Sequence, residues 1–313
     1  MGGAGHPGPV PFRDPTLGAA RVRGFVSLPA GNQQRGRPHK TPAQLLQLLV
    51  RIVRRWFPDR EFLFAGDAGY GSRETASLAR SQTGKVDVIS KFPANANLYE
   101  PPPPYTGHGR PRVKGKKLPS PREVVAQAQP TRRNVGWYGG GRRYVDIVSG
   151  TGHWHKAGQR LVEVRWVYVQ DRTGTHREEY FYSTDATMTP QAIMEEYTGR
   201  WSLETTFEEA RPYLGLESTR GRCARTVLRA EPCLLGLYSV VALMYWLLSP
   251  EDQQQGCVEW VGKRSVTFSD AITAVRRWLW TNWVFPQAGH AEAFAKVPET
   301  FRQFLLYALA PAA

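Results

Sequence analysis

The sequence has few cysteines, fewer acidic residues than basic ones, and no apolar run long enough to cross a bilayer. Its three cysteines, Cys223, Cys233 and Cys257, form no Cys-x-x-Cys pair, which argues against a disulfide scaffold and a zinc ribbon. The longest apolar run, Cys233–Leu248, is shorter than the ~20 residues of a membrane-spanning helix and predicts a buried core helix. These absences favour a cytoplasmic protein without a membrane partner.

Positive charge is what the sequence has in excess. Lys and Arg number 41 against 27 Asp and Glu, which gives a formal net charge of +14 over 313 residues. Hydrophobic residues make up 41% of the chain, so a disordered basic tail is excluded and a substantial core is expected. A basic protein of this kind usually meets a polyanion, most often nucleic acid, although a solvated basic surface has the same composition.

The order of predicted elements divides the chain into six regions. They are an irregular N-terminal remnant or linker (1–40), the first part of an α/β core (41–92), a Pro-rich basic arm (93–133), a β-rich stretch with a returning strand (134–188), helices over 189–248 and a C-terminal helical region (249–313). Region 1–40 contains one strand-like segment, Arg23–Leu28. Region 41–92 reads as a helix capped by Thr41, a buried strand over Glu61–Gly66, a helix from Ser72 and a strand over Val86–Ser90. Such an order predicts a sheet with a crossover helix.

The β-rich stretch alternates apolar and polar residues in the manner of strands. One face of a predicted strand over Leu161–Gln170 is formed by Val162, Val164, Trp166 and Tyr168. Asp171–Gly174 predicts a turn, after which a strand over Glu179–Thr184 returns as the hairpin partner. Beyond Thr189-Pro190 the pattern is mostly helical.

The basic arm contains four consecutive prolines, Pro101–Pro104, and then the segment Gly107–Lys117, which has five cations and no acidic residue. These cations are Arg110, Arg112, Lys114, Lys116 and Lys117. No regular element fits the stretch, and the sequence predicts an extended segment. Two interpretations stay open: an arm that follows a DNA backbone, and a solvated loop.

Asp67 is the first candidate for chemistry. It directly follows a predicted strand and begins the glycine-rich turn Asp67-Ala-Gly-Tyr-Gly71. Ligands gather at the carboxyl edge of an α/β sheet, so a carboxylate there is typical of a metal ligand or catalytic acid. The simpler alternative is that Asp67 only caps the turn. A second metal candidate, His153 and His155, lacks a third ligand nearby.

The second candidate group lies on one predicted helix and consists of Tyr197, Arg200, Glu204 and Arg211. Spacings of three, four and seven residues place them on one stripe of a single helix. A carboxylate beside Arg and Tyr suits a site that binds both a metal ion and a phosphate. An ordinary Arg–Glu surface pair has the same spacing, and Glu208, one turn further on, is a rival of Glu204.

These residues resemble those of a known family. The pattern Tyr197-x2-Arg200-x3-Glu204-x6-Arg211 is similar to the Tyr-Arg-Glu-Lys signature of bacterial insertion-sequence transposases of the DDE class, and Asp67 in FAGDAGYGS resembles their second catalytic aspartate. The resemblance covers about residues 40 to 220. It implies an α/β, RNase H-like mixed sheet flanked by helices, with a β-rich insertion before the catalytic glutamate helix and a helical C-terminal region.

The resemblance also implies roles. Asp67 and Glu204 would be two of three acidic ligands of two Mg²⁺ (or Mn²⁺) ions, while Tyr197, Arg200 and Arg211 would contact the DNA backbone near the scissile phosphate. The implied reaction is phosphodiester cleavage and strand transfer at the ends of the element. The implied partners are double-stranded DNA (terminal repeats and target) and a second copy in a homodimer, at the bacterial nucleoid.

Two departures from the family pattern matter. Arg211 stands where the family has Lys, which keeps the positive charge. In the family, the first catalytic aspartate lies on a strand upstream of the second. Before Asp67 this sequence has only Asp14 and Asp59, and neither lies in a predicted strand. Asp185 is a spatial alternative, but it follows Asp67 in the chain. We therefore expect an N-terminally truncated transposase with impaired catalysis. A non-catalytic DNA-binding remnant and another RNase H-like nuclease are the alternatives.

Overall fold

The computed structural model describes residues 36, 39–81, 86–138, 141–218, 223, 226–259, 261, 263 and 266–311. The predicted strand Arg23–Leu28 and Asp14 lie outside the described residues. By its internal contacts the chain divides into two compact units, of which the first ends at Ser202 and the second runs from Leu203.

The first unit alternates helices and strands around one sheet. Its elements are α1 (Pro42–Trp56), β1 (Phe62–Ala65), α2 (Arg73–Ser81), β2 (Val86–Lys91), β3 (Leu98–Tyr99), α3 (Pro121–Gln127), β4 (Thr131–Gly136), β5 (Arg142–Trp154), β6 (Val162–Asp171), β7 (Glu179–Ser183) and α4 (Pro190–Gly199). Helices α1, α2 and α4 begin where the sequence predicts. The Thr41 hydroxyl accepts the Gln44 N–H at 3.3 Å, and the Ser72 hydroxyl accepts the Thr75 N–H at 3.2 Å.

Among the described residues, the sheet has seven strands in the order β1-β2-β7-β6-β5-β3, with β4 also paired to β5. Strands β1 and β2 are parallel, because α2 carries the chain back between them, and the other pairs are antiparallel. The predicted fold class is thereby confirmed as α/β with a mixed sheet flanked by helices. The strand predicted over Glu61–Gly66 is present as β1, but the prediction that it is buried was wrong, because β1 lies at the edge of the sheet among the described residues and its Leu63 is exposed.

Side chains alternate between the two faces of the sheet. On one face Val164, Trp166 and Tyr182 pack against α1 and α2. On the other, Val167 and Phe181 pack against α4. All four residues of the predicted apolar face of β6 are buried in the first cluster, so this prediction is confirmed. Burying both faces fixes the register, since a slip of one residue would exchange them.

The β6–β7 turn is held by the carboxylate of Asp171. Its oxygens accept the Thr173 N–H at 3.0 Å, the Thr175 hydroxyl at 3.0 Å and an Arg143 N–H at 2.8 Å. Burial acts to raise the pKa of Asp171, but these hydrogen bonds and the Arg143 charge outweigh it and hold that pKa well below its usual range. Gly174 has a φ of +70°, which explains the glycine at this point of the predicted turn.

The basic arm is more ordered at its base than the sequence predicts. β3 pairs with β5, and the chain returns beside it, with the Glu100 N–H donating to the Lys116 carbonyl at 2.9 Å. Because β3 lies within residues 93–123 and α3 begins at Pro121, the expectation that no regular element fits residues 93–123 was wrong for its ends. The capping box of Ser120 and Glu123 was a readable signal for α3.

The second unit is helical, as predicted for the C-terminal region. It contains α5 (Ser202–Leu214, whose first residue belongs to the first unit), α6 (Glu231–Leu247), α7 (Pro250–Gln254), α8 (Phe268–Leu279), α9 (Phe285–Gln287), α10 (Ala291–Lys296) and α11 (Glu299–Leu309), with π-helical turns over Thr226–Ala230 and Trp280–Val284. Tyr238 of α6 stacks on Phe268 of α8 with ring centroids 4.1 Å apart. Its core is formed mainly between these two helices.

Helix α6 corresponds to the apolar run Cys233–Leu248, which was predicted to be a buried core helix. Only Leu235, Val241 and Tyr245 are buried, while Val240 and Leu247 are 51% and 67% exposed. The prediction was wrong for most of the helix, because one face packs on α8 and the other faces pack on little of the described chain. The helical stretch Thr226–Leu247 is long and apolar enough to cross a membrane by length and composition.

Candidate functional site

Asp67 lies in the turn that follows β1, at the carboxyl edge of the parallel pair. The strand ladder continues one step beyond β1, since the Gly66 N–H donates to the Ile89 carbonyl of β2 at 2.9 Å. The Asp67 carbonyl then accepts the Tyr70 N–H at 2.8 Å and closes the turn. The sequence placed Asp67 at this edge, where α/β proteins bind ligands.

The carboxylate of Asp67 is exposed, and only one of its two oxygens accepts hydrogen bonds from described residues. Oδ1 accepts the Ala68 N–H at 2.7 Å and the Tyr197 hydroxyl at 3.4 Å. Oδ2 accepts no hydrogen bond from any described residue. Oδ1 thus orients the group, and Oδ2 takes no part in holding it within the described part of the chain.

Tyr197 links α4 to Asp67 across 130 residues of sequence. The residue is 1% exposed, and its ring packs against Phe181 with centroids 4.3 Å apart. The Arg200 guanidinium lies over this ring, 5.4 Å from its centroid. Burial raises the pKa of Tyr197, so the phenol stays protonated and donates to Asp67. The structure therefore brings Asp67, Tyr197 and Arg200 together.

The single helix predicted for the second candidate group was wrong. Helix α4 ends at Gly199, Arg200 and Trp201 form a turn, and α5 begins at Ser202. Glycine disfavours helix, and the Thr198 hydroxyl beside it donates to backbone carbonyls, which accounts for the break. The single stripe through all four residues is thus interrupted between Arg200 and Glu204.

The other two residues of that group lie on α5 in the second unit. Glu204 is half-buried in the first turn of α5, where the helix dipole favours a negative charge. Arg211 is exposed and donates to Glu217 at 2.7 Å, and this hydrogen bond raises the pKa of Arg211. The rival carboxylate Glu208 is exposed. Glu209 accepts the Tyr238 hydroxyl at 2.8 Å and so serves the packing of the unit.

Two candidates for a further carboxylate lie at the wrong end of the strands. The Thr184 N–H donates to Val88 and its hydroxyl to Asp87, which places Asp185 at the amino end of β2. Asp67 lies beyond the carboxyl end, about 13 Å further along the strand. Asp59 precedes β1, so it also lies at the opposite end of the strand from Asp67. The suggestion of Asp185 as a spatial alternative was therefore wrong.

Glu179 is an acidic residue at the correct edge that the sequence analysis missed. It begins β7 and forms an ion pair of 2.5 Å with Lys91, the last residue of β2. Its charge contributes to the raised pKa of Tyr197, after burial and the nearer charges. No local signal pointed to it, because the pairing of β7 with β2 follows from the order of the sheet. Within the described ranges, no group of three His, Cys, Asp or Glu side chains could hold a metal ion.

The cations of the basic arm differ in their contacts. Lys114 donates to the Tyr99 hydroxyl at 3.1 Å and lies 4.2 Å from the centroid of that ring. The remaining four are exposed and make no hydrogen bond or ion pair with described side chains: Arg110, Arg112, Lys116 and Lys117. Burial, and then the charges of Lys114 and Arg73, lower the pKa of His155.

Comparison with known proteins bears on the first unit. Residues 26–144 match a family model described as DDE superfamily endonuclease. A search of curated proteins finds no match. Among solved structures, the chain matches a piggyBac transposase synaptic complex with hairpin DNA at 10% identity and a TM-score of 0.34, over 91% of this chain and 47% of that one. The chain therefore spans about half the length of that transposase, and a TM-score this low does not establish a common fold.

The matched segment contains Asp67, its glycine-rich turn and the basic arm, while the residues from Tyr197 onward lie beyond it. The resemblance of this chain to DDE-class enzymes is thus confirmed over residues 26–144.

Proposed function

We propose that this chain is an insertion-sequence transposase of the DDE class that cleaves phosphodiester bonds at the ends of its element and transfers the strands to target DNA. The observation that carries the proposal is the exposed carboxylate of Asp67 at the carboxyl edge of the sheet, of which only Oδ1 accepts hydrogen bonds from described residues. Asp67 lies inside the segment that matches the endonuclease family. This is where a metal-dependent nuclease needs a ligand.

Asp67 fits a divalent ion by its chemistry. Carboxylate oxygens are the ligands that Mg²⁺ and Mn²⁺ prefer, and Oδ2 is available without breaking a hydrogen bond to any residue in the described part of the chain. In our proposal Asp67 and Glu204 hold the metal, which when bound lowers the pKa of a water and polarises the phosphodiester. Tyr197 restrains Oδ1, and Arg200 and Arg211 hold phosphate oxygens.

Double-stranded DNA is the proposed partner. Four exposed cations of the basic arm supply sequence-independent contacts to phosphates. Two copies of the chain would each hold one end of the element, as the family resemblance implies, at the bacterial nucleoid.

A non-catalytic DNA-binding remnant is the second candidate. It is favoured by one observation, namely that no group of three acidic or other metal-ligating side chains occurs among the described residues. Two-metal chemistry needs ligands that bridge both ions, so a chain with one ligand missing would bind DNA without cutting it.

The test is cleavage of a supercoiled plasmid that carries the genomic sequences flanking the coding region, in Mg²⁺ and in Mn²⁺. We expect Asp67→Asn to reduce the rate by at least about 100-fold while DNA affinity and thermal stability stay unchanged. Asp59→Asn is the matched control, because it removes an exposed aspartate at the opposite end of β1.

Cleavage by Asp67→Asn at the wild-type rate would refute the role of Asp67 in the proposed site. Binding without cutting by the wild-type chain would favour the remnant. Cutting without preference for the flanking sequences would favour a general nuclease.

A further inference from the structure

The backbone that carries Asp67 passes unusually close to strand β2. Ser90 of β2 is fully buried, and its hydroxyl donates to the Asp67 carbonyl at 3.0 Å. That carbonyl also accepts the Tyr70 N–H, so both of its lone pairs are used. The turn is thus tied to the sheet by a side-chain bond in addition to its own closing bond.

Gly71 lies against the same serine. A Cβ at position 71 would be 2.1 Å from Ser90 Oγ and 2.6 Å from Ser90 Cβ, distances that no real Cβ tolerates. Gly71 is not among the glycines with positive φ, so a side chain is excluded here by the lack of space and not by the backbone conformation. Gly69, two residues earlier in the turn, has nothing within 4 Å of its Cβ position.

The chain is also held where it leaves the turn. Ser72 caps α2, and the Nε of buried Arg73 donates to the Trp154 carbonyl of β5 at 3.2 Å. The exposed residues from Asp67 to Tyr70 are therefore fixed on one side by β2 and on the other by β5.

We propose that Gly71 and Ser90 form a latch that positions the carboxylate of Asp67. Neither residue touches substrate, so both are positioning residues, and their role in cleavage rests on the proposed function. Ser90 holds the Asp67 carbonyl, and the missing side chain of Gly71 lets the turn approach closely enough for that bond to form. A displacement of about 1 Å at a catalytic group can cost on the order of 100-fold in rate.

The contact between these residues permits a size-swap experiment. Gly71→Ala introduces the clash, and Gly71→Ala combined with Ser90→Gly removes the two serine atoms that cause it. The nearest remaining neighbour of the new Cβ would be the Lys91 carbonyl oxygen at 3.2 Å. Ser90→Ala removes only the hydrogen bond, and Gly69→Ala is the matched control in open space.

The first readout is amide hydrogen exchange of peptides spanning residues 66–72 in the metal-free full-length chain, with peptides from β6 as internal reference. We expect exchange at least tenfold faster in Gly71→Ala, about fivefold faster in Ser90→Ala, unchanged in Gly69→Ala, and slower in the double variant than in Gly71→Ala. Wild-type protection in Gly71→Ala would overturn the latch. So would a double variant that exchanges as fast as Gly71→Ala with β6 still protected.

The second readout is the rate of plasmid cleavage as a function of Mn²⁺ concentration. We expect Gly71→Ala to lower kcat by about 10- to 100-fold and to raise the half-saturating Mn²⁺ concentration, with KM for DNA unchanged. The double variant should recover only to the rate of Ser90→Ala, because it also lacks the hydroxyl that holds the Asp67 carbonyl. Wild-type cleavage by Gly71→Ala would overturn the latch while leaving the proposed function intact. A wild-type chain that does not cut, with the expected exchange pattern, would overturn the proposed function and support the latch.

Discussion

The charge of the basic arm allows a quantitative prediction about DNA binding. The perturbation is the simultaneous replacement of Arg110, Arg112, Lys116 and Lys117 by Gln. These four side chains are exposed and make no hydrogen bond or ion pair within the described structure, so their replacement breaks no such bond there. Lys114 is different, because it lies on Tyr99 at the base of the arm.

The magnitude follows from counterion release. Each phosphate contact contributes about 0.9 to the slope of log K against log salt, so four lost contacts reduce the slope by about 3.6. Between 50 and 200 mM NaCl, the wild-type affinity should therefore fall about 150-fold more than that of the four-site variant. Lys114→Gln should change the slope by less than about 1, because its ammonium is shared with the ring.

Fluorescence anisotropy on a labelled duplex of about 30 base pairs, measured at several NaCl concentrations, gives both slopes. An unchanged slope in the four-site variant would refute the reasoning and leave the arm a solvated loop. A slope that falls as much in Lys114→Gln as in the four-site variant would show that the division of the arm into bound and exposed cations is wrong.

Three further results are expected. Asp171→Asn should lower the free energy of unfolding by about 2 kcal/mol at pH 7. Because the folded pKa of Asp171 is depressed, the stability that its carboxylate contributes is present above about pH 4 and is lost as the pH falls below that. Urea titrations of the wild type and the variant should therefore converge in acid. Tyr197→Phe should leave thermal stability within about 1 kcal/mol of the wild type and slow cleavage about tenfold, since it removes one restraint on Asp67, and equal rates would contradict that role. Glu209→Ala should destabilise the second unit by about 1–3 kcal/mol, because the Tyr238 hydroxyl loses its acceptor, and calorimetry with an unchanged transition would refute this.

Local signals in the sequence were sufficient for much of the first unit. Thr41 and Ser72 cap helices where their side chains and the following pattern predict them. The alternation through β6 gave the correct buried face, because a strand has a period of two and the sheet buries each face against a different partner.

Features that depend on distant partners could not be predicted. The contact between Asp67 and Tyr197 joins residues 130 positions apart and requires the order of the sheet, which no local pattern contains. Helix α6 is apolar on all sides, and its exposed faces follow from what packs against it. The break between α4 and α5 depends on one glycine and on the hydroxyl of Thr198, two weak signals inside a helical pattern.

The backbone pairing at the base of the basic arm allows the length of the loop between its two ends to change without a change in the fold. The Glu100 N–H donates to Lys116 and the Gly115 N–H to Glu100, so the two ends of the loop are already joined by backbone bonds beside β5. The entropy of closing a loop grows only with the logarithm of its length, and each doubling adds about 0.6 kcal/mol. Residues 101–114 can therefore be shortened, extended or exchanged for another sequence without disturbing the sheet, and the reach of this segment can change while the strands beneath it stay the same.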